Sequence, residues 1–250
     1  KMVMHGTTVA TNAVLTVRGA TVGLVTTAGY EDTLQVARSL CPGGLGGWVS
    51  YVKKPLRAPL ELTIGARERV GADGAVVEAL DEAQLREDLA ALKARGGIEA
   101  LTICFINAYI NGEHEHRARE VASEIFGDTP ISISSEVVPE MQEYERTETT
   151  VVNSYVRPEV ARYVNNLQSA LADKLGGDTQ LSILRSDGGL ASARASEVSL
   201  VNLLMSGPAG GVAGAIYFCS RAGYDDILTF DMGGTSTDVA LIQNSRARVR

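Results

Sequence analysis

Apolar positions along the chain alternate between unbroken short runs and a spacing of three to four. Leu85, Leu89 and Leu92 recur at i, i+4 and i+7 behind Asp81, a residue type that caps helix starts. The spacing predicts a helix over 81–94, and a second is expected over 113–126. Short, largely apolar runs at 21–26, 100–106, 130–134 and 181–184 predict strands. Residues 2–4 lead as a strand into a helical stretch over 9–17, stopped at Arg18-Gly19. Residues 62–70 and 75–77 flank Gly71-Ala72-Asp73-Gly74, a hairpin signal. Residues 27–39 begin as a loop and turn helical. The pattern over 147–175 is helical, with Pro158 expected to interrupt it and open a second helix. A helical stretch at 197–204, a small-residue helix from Ser206 to about Arg221, and a strand over 225–230 follow. Strands alternating with helices predict an α/β fold.

One segment breaks the pattern. Residues 41–59 hold Gly43, Gly44, Gly46, Gly47, Pro42, Pro55 and the single tryptophan, Trp48. This is a long loop, either of the functional kind or a disordered or partner-packed insertion.

Composition narrows the function classes. The 250 residues suffice for one large domain or two modest ones, and 45% apolar content can bury a sizeable core. A net charge of −7 argues against a generalised polyanion-binding surface, so no nucleic-acid partner is expected. Cys41, Cys104 and Cys219 are far apart and form no C-x-x-C pair, which suits a reducing, cytoplasmic setting. No apolar run approaches the ~18 residues of a membrane span, and no signal peptide is read. Both ends read as cuts through a longer chain. Lys1-Met2-Val3-Met4 resembles the tail of a strand already under way.

Four glycine- or hydroxyl-rich corners carry the candidate chemistry: His5-Gly6-Thr7-Thr8, Arg185-Ser186-Asp187-Gly188-Gly189, Ser206-Gly207-Pro208-Ala209-Gly210-Gly211, and residues 231–238. The last reads Asp231-Met232-Gly233-Gly234-Thr235-Ser236-Thr237-Asp238 between two strand-like runs, a hairpin. Its glycines allow close approach to the backbone, and successive N–H groups there make an anion-binding concavity. An acid at each end suits phosphate only with a hard cation between, and Mg²⁺ binds through one or two carboxylates plus phosphate oxygens. The corner, framed by Asp231 and Asp238, therefore reads as a Mg-nucleotide phosphate loop, with an ordinary hairpin of turn-forming Gly, Ser and Asp as the alternative. The third corner opens a helix, whose N-terminus binds anions, and Gly207, Gly210 and Gly211 are its candidate phosphate contacts. Close helix packing explains the same glycines equally well.

Taken together, the corners resemble a known family. Residues 231–238 look like the second phosphate motif of the actin, Hsp70 and sugar-kinase superfamily. His5-Gly6-Thr7-Thr8-Val9-Ala10-Thr11-Asn12, Gly23-Leu24-Val25-Thr26-Thr27, the Ser206–Gly211 run and the 230–239 string are similar to the ATP-binding subunit of the hydantoinase/oxoprolinase family. The resemblance covers almost the whole chain. It implies a two-lobe fold, with residues 1–195 the remainder of a first lobe carrying an inserted α/β subdomain, and 196–250 the start of a second, phosphate-binding lobe. It implies ATP and Mg²⁺ (or Mn²⁺) as cofactors. Gly233, Gly234, Thr235, Ser236 and Thr237 would cradle phosphate. Thr7, Thr8, Asn12, Asp187 and Gly188 would be loop residues facing substrate.

The implied activity is ATP-dependent phosphorylation of a carbonyl or enol oxygen. It would serve ketone carboxylation of the acetophenone or acetone type, or ring hydrolysis of lactams and hydantoins. A small carbonyl substrate and a second large, hydantoinase B-like subunit within a hetero-oligomer are implied partners. The family's earlier acidic, Gly-rich motif and its distal adenosine-binding part fall outside this sequence, so the segment is expected to hold ATP poorly alone. Two alternatives remain open: a catalytically silent scaffold subunit, and a sugar-kinase-type phosphotransferase.

The remaining candidates are individual side chains. His5 is placed either to orient substrate, to act as a general base, or simply to hydrogen-bond at a helix cap. His114-Glu115-His116 lacks the His-Glu-x-x-His spacing of a zinc helix and reads as a polar helix start. Glu143, Glu145 and Arg146 read as a solvated face or an interlobe salt bridge, and Cys104 and Cys219 as core residues.

Overall fold

A computed structural model of the chain describes residues 2–39, 46–47, 52–176, 179–192, 199–233 and 237–247. In chain order, β1 (Met2–His5) leads to α1 (Val9–Leu15), β2 (Val22–Thr27) and the one-turn α2 (Thr33–Val36). Then come β3 (Thr63–Ala66), β4 (Arg69–Val70), β5 (Val76–Glu78), α3 (Glu82–Ala94), β6 (Ala100–Cys104) and α4 (Glu113–Phe126). They are followed by β7 (Ile131–Ile133), α5 (Ser134–Val137), the long α6 (Glu143–Leu175), β8 (Gln180–Leu184) and β9 (Leu190–Ser192). The described chain closes with α7 (Ser206–Arg221), β10 (Ile227–Met232), β11 (Thr237–Gln243) and β12 (Arg246–Ala247). The chain forms two compact units: Gly19–Pro158, and a discontinuous unit of Lys1–Arg18 with Glu159–Arg250.

The continuous unit is built on a parallel sheet in the order β3-β2-β6-β7. Every residue of β2 and β6 is buried, as expected of parallel strands covered on both faces. The two faces of β6 differ with the period of two. Leu101 and Ile103 share an apolar core with Leu85, Leu89 and Leu92 of α3 and with Val121 and Phe126 of α4. Thr102 and Cys104 meet α6 instead: Thr102 Oγ1 donates to Ser154 Oγ at 2.7 Å, and Cys104 Sγ lies 3.2 Å from Thr147 Oγ1. The Asp81 cap forms as expected, its side chain accepting from Gln84 N at 3.0 Å. The 62–70 run divides, because β3 joins the parallel sheet while β4 turns back onto β5.

Pro158 does not interrupt the helix; α6 runs through it. A proline inside a helix removes one backbone donor and costs about 3 kcal/mol. Burial on both sides offsets this, since Val151, Tyr155, Val156, Val160 and Val164 are all buried. The expected solvated cluster at 143–146 is also different. Arg146 is buried, donating to Phe105 O at 2.7 Å, to Glu140 O at 3.1 Å, to Ser134 Oγ at 3.2 Å and to the Glu143 carboxylate. Glu145 remains outside and pairs with Arg38 at 2.5 Å. The helix expected at 197–204 is a short 3-10 turn at Leu200–Leu203, with residues 197 and 198 outside the described part.

In the discontinuous unit, β1 pairs in parallel with β8, and β8 pairs antiparallel with β9. The strands β10, β11 and β12 form an antiparallel meander. Helix α7 packs against β8 and against β10 and β11.

Candidate functional site

The parallel pair β1 and β8 places His5 beside Ile183, so both strands end on one edge of their sheet. Ligands of open parallel sheets gather beyond such carboxyl ends. The chain leaving β8 makes a tight turn at the second glycine corner. Gly188 takes φ 79°, Gly188 N donates to Arg185 O at 3.0 Å, and Asp187 Oδ1 accepts from Gly189 N at 2.9 Å. Positive φ there is the conformation glycine supplies without strain. The Arg185 guanidinium pairs with Asp187 at 2.7 Å.

The first and third corners are sewn together. Ser206 Oγ donates to Thr7 O at 2.8 Å and accepts from Thr7 N at 3.2 Å. Both residues are buried. Met205, at φ 64°, donates its N–H to Thr11 Oγ1 at 3.0 Å just before α7 begins. The approach is close enough that a Cβ on Gly207 would lie 2.8 Å from Thr8 Cγ2. Thr7 and Thr8 therefore serve this junction, and Asn12 donates to Thr8 Oγ1 at 3.3 Å.

Three of the four corners line one cavity of about 700 Å³. Its wall includes Ser186, Asp187 and Gly188, the first turns of α7 from Pro208 through Gly211 to Ile216, and Thr229, Asp231, Asp238 and Ala240. Asp231 and Asp238 face each other as cross-strand partners at the open end of β10 and β11. Residues two apart share a sheet face, so Thr229 and Ala240 lie on the same side as the two acids. Gly211 has nothing within 4 Å of a would-be Cβ, leaving that wall open. Gly210 packs at ordinary contact distance on Leu184, and Gly207 fits the corner junction. Gly233 and Thr237 are exposed at the hairpin end, while Gly234, Thr235 and Ser236 lie outside the described residues.

His5, Thr7, Thr8 and Asn12 are not on the cavity wall. His5 Nε2 lies 2.7 Å from Tyr163 Oη, a partner that no local pattern announces because 158 residues separate the two. Thr11 was also missed, although it continues the Thr7-Thr8 run. Among the described residues no group of three or more His, Cys, Asp or Glu is arranged to hold a metal ion, so a cation here would rest on the Asp231–Asp238 pair and on its ligand. His114 is buried and not merely polar, with Nδ1 2.8 Å from Glu68 Oε2. Cys104 is buried, and burial pushes its thiol up to about 11, whereas Cys219 is half-buried. Cys41 and Trp48 fall outside the described residues. The continuous unit has its own smaller cavity, about 440 Å³, edged by Arg38, Lys53, Lys54 and Arg57. Arg38, Arg57 and Lys53 are engaged there by Glu145, Glu148 and the carbonyls of Gln35 and Val36.

Comparison with known proteins reads the same chain. The model of the hydantoinase/oxoprolinase N-terminal region matches residues 1–126, and the hydantoinase/oxoprolinase model matches residues 146–250. The chain belongs to the hydantoinase/oxoprolinase family. Among family relatives, caprolactamase subunit alpha of Pseudomonas jessenii is 32% identical over 97% of this chain and 35% of its own length. The acetophenone carboxylase gamma subunit of Aromatoleum aromaticum is 33% identical over 99% of this chain and 35% of its own. The nucleotide-free structure of acetone carboxylase, from work on ATP-dependent acetone carboxylation, superposes with a TM-score of 0.85 at 29% identity, covering 97% of this chain and 35% of that one. The ATP-dependent caprolactamase of Pseudomonas jessenii superposes with a TM-score of 0.82 at 33% identity, over 95% of this chain and 34% of that one. The chain thus spans about a third of the length of these relatives. Its fold is the actin/sugar-kinase-like α/β fold of hydantoinase A domains, with an inserted α/β subdomain. No helix among the described residues is long and apolar enough to cross a membrane.

Proposed function

We propose that the cavity at the carboxyl edge of β1 and β8 takes the phosphates of Mg-ATP, and that the chain is the ATP-handling part of an enzyme that phosphorylates a carbonyl or enol oxygen. The observation that carries this reading is convergence. The Asp187–Gly188 turn, the start of α7 and the Asp231–Asp238 pair come from distant sequence and meet on one wall. The family relatives named for caprolactam, acetophenone and acetone chemistry support the substrate class.

The nucleotide is a substrate in this scheme. Free N–H groups and the dipole at the start of α7 favour anionic oxygens, and Gly211 leaves room for them. Asp231 and Asp238 would hold Mg²⁺; two carboxylates facing across a hairpin suit an ion that completes its shell with phosphate oxygens and water. When bound, the cation offsets the repulsion between the carboxylates and the triphosphate. The carbonyl or enol oxygen forms a bond to the γ-phosphorus as the bond to the β-phosphate oxygen breaks, and ADP leaves. In-line transfer of this kind needs placement and charge neutralisation more than side-chain nucleophiles. A phosphorylated lactam is then open to water at carbon, and a phosphorylated enol can accept carbon from activated bicarbonate. His5 orients the carbonyl compound or takes its proton. In this reading residues 196–250 belong to the phosphate-binding lobe, and a hydantoinase B-like subunit supplies the rest of the active site.

Titration of Mg-ATP into the chain alone and into a chain extended at both ends tests the reading, together with turnover against ketones, lactams and sugars. Binding by the extended chain with turnover on a ketone or lactam is expected. No binding by the extended chain would favour a scaffold subunit, and turnover on sugars alone would favour a sugar kinase.

A further inference from the structure

His5 ends β1 half-buried, and its two ring nitrogens have different surroundings. Nε2 lies 2.7 Å from Tyr163 Oη, and the two ring centroids are 5.8 Å apart with the planes tilted by 30°. Among the described residues, Nδ1 of His5 has no hydrogen-bond partner, and Tyr163 Oη has none besides Nε2. Tyr163 stands on α6 beyond Pro158, in the same compact unit as β1 and the cavity.

We infer that Tyr163 is a positioning residue for His5, fixing the ring so that Nδ1 is the nitrogen presented to the carbonyl substrate. The inference rests on the proposed role of His5 and adds a residue and an atom to it. A phenol hydroxyl is both donor and acceptor, so it can meet Nε2 in either of its states. With Nε2 protonated, Nε2–H donates to Oη and Nδ1 offers a lone pair to take the substrate's proton. Once Nδ1 carries that proton the ring is a cation, and Oη still accepts from Nε2–H. With Oη–H donating to Nε2 instead, Nδ1–H is a donor to the carbonyl oxygen. In each state the 2.7 Å contact holds the ring the same way, and one nitrogen is left for substrate. The partner of one ring nitrogen sets the chemistry of the other.

Tyr163→Phe keeps the aromatic ring and removes only Oη, so the fold is retained. Two readouts are needed. In the full chain labelled with ¹⁵N, the imidazole nitrogen shifts report hydrogen bonding at each ring nitrogen. A hydrogen-bonded Nε2 distinct from Nδ1 is expected with Tyr163, and loss of that distinction in Tyr163→Phe. In the assembled enzyme, kcat is expected to fall on the order of tenfold with KM little changed, short of the full loss of a proton-transfer group. Unchanged nitrogen shifts and kcat, with only a lower melting temperature, would overturn the assignment and leave Tyr163 a packing residue. Wild-type turnover by His5→Gln would overturn it through the functional reading beneath, while the nitrogen spectrum would still show whether the pair forms.

Discussion

The two units use their apolar residues differently. In the continuous unit the leucines of α3 and the alternating face of β6 are buried against one another, and Arg146, Glu115 and His114 are buried with hydrogen-bonded partners. In the discontinuous unit Leu228, Phe230, Met232, Val239 and Leu241 stand exposed along the hairpin, and glycine corners edge an open cavity. The continuous unit closes over its apolar side chains, whereas the hairpin of the discontinuous unit carries its own at the surface. A side chain's type therefore says less about its worth than the unit it sits in.

The largest expected effect lies on the cavity. Asp231→Asn in the assembled enzyme should lower ATP turnover by about 10²–10³, the scale for removing one charge-stabilising group, without moving the melting temperature. Turnover at the wild-type rate would strip Asp231 of its role. Paired truncations test the contrast in packing next. Leu89→Ala, at a fully buried position, should cost about 2–5 kcal/mol in urea unfolding. Leu241→Ala, half exposed on the hairpin, should stay within roughly 0.5 kcal/mol. Equal losses would erase the distinction.

Glycines sharpen it further. A Cβ on Gly19 would fall 2.2–2.4 Å from the Tyr155 ring, so Gly19→Ala should cost about 1–3 kcal/mol in thermal unfolding. Gly211→Ala meets nothing and should be neutral or stabilising by up to about 1 kcal/mol. Its effect should appear in nucleotide affinity instead.

A smaller effect comes from Glu115. Burial pushes its carboxyl above the ordinary 4.5, outweighing hydrogen bonds from Ser134, Ser135 and Phe105 that pull it down. A raised acid favours the folded state fully below 4.5, and that contribution is lost as pH rises through the folded value. Glu82 and Glu145 run the other way, held low by Arg117 and Arg38, so their contribution is lost as pH falls. Denaturant titrations of wild type and Glu115→Gln across this range should show the wild type losing its advantage as pH rises. A constant difference would contradict the shift. Least perturbing is thiol labelling at pH 8. Cys104, raised to about 11 and buried, should stay unmodified in the folded chain while Cys219 reacts.

Local signals in the sequence were legible and long-range ones were not. The bounds of α4, the Asp81 cap and the hairpin at Asp231 and Asp238 all follow from spacing and turn chemistry within a few residues. The glycine corners could be recognised, but their meeting on one wall depends on α7 packing against β8 and against β10 and β11, which periodicity does not encode. Arg146 looked solvated because its partners, Phe105 O and Ser134 Oγ, are contributed by the ends of other elements. Tyr163 gave no signal at all, being one of several aromatics on a long helix. Pro158 misled because propensity is local, whereas the burial that overrides it is not.

The clasp between Thr7 and Ser206 joins residues 199 apart, with an entire compact unit spliced between them. On the ribosome, β1 must wait for Ser206 while that insert emerges and condenses. Closure of so large a loop then precedes the junction of Thr7 with the start of α7. Premature release before α7 is made would yield a chain with a well-formed middle and a homeless beginning. Variants that weaken the clasp would therefore lose the junction between β1 and α7 first and the inserted unit last.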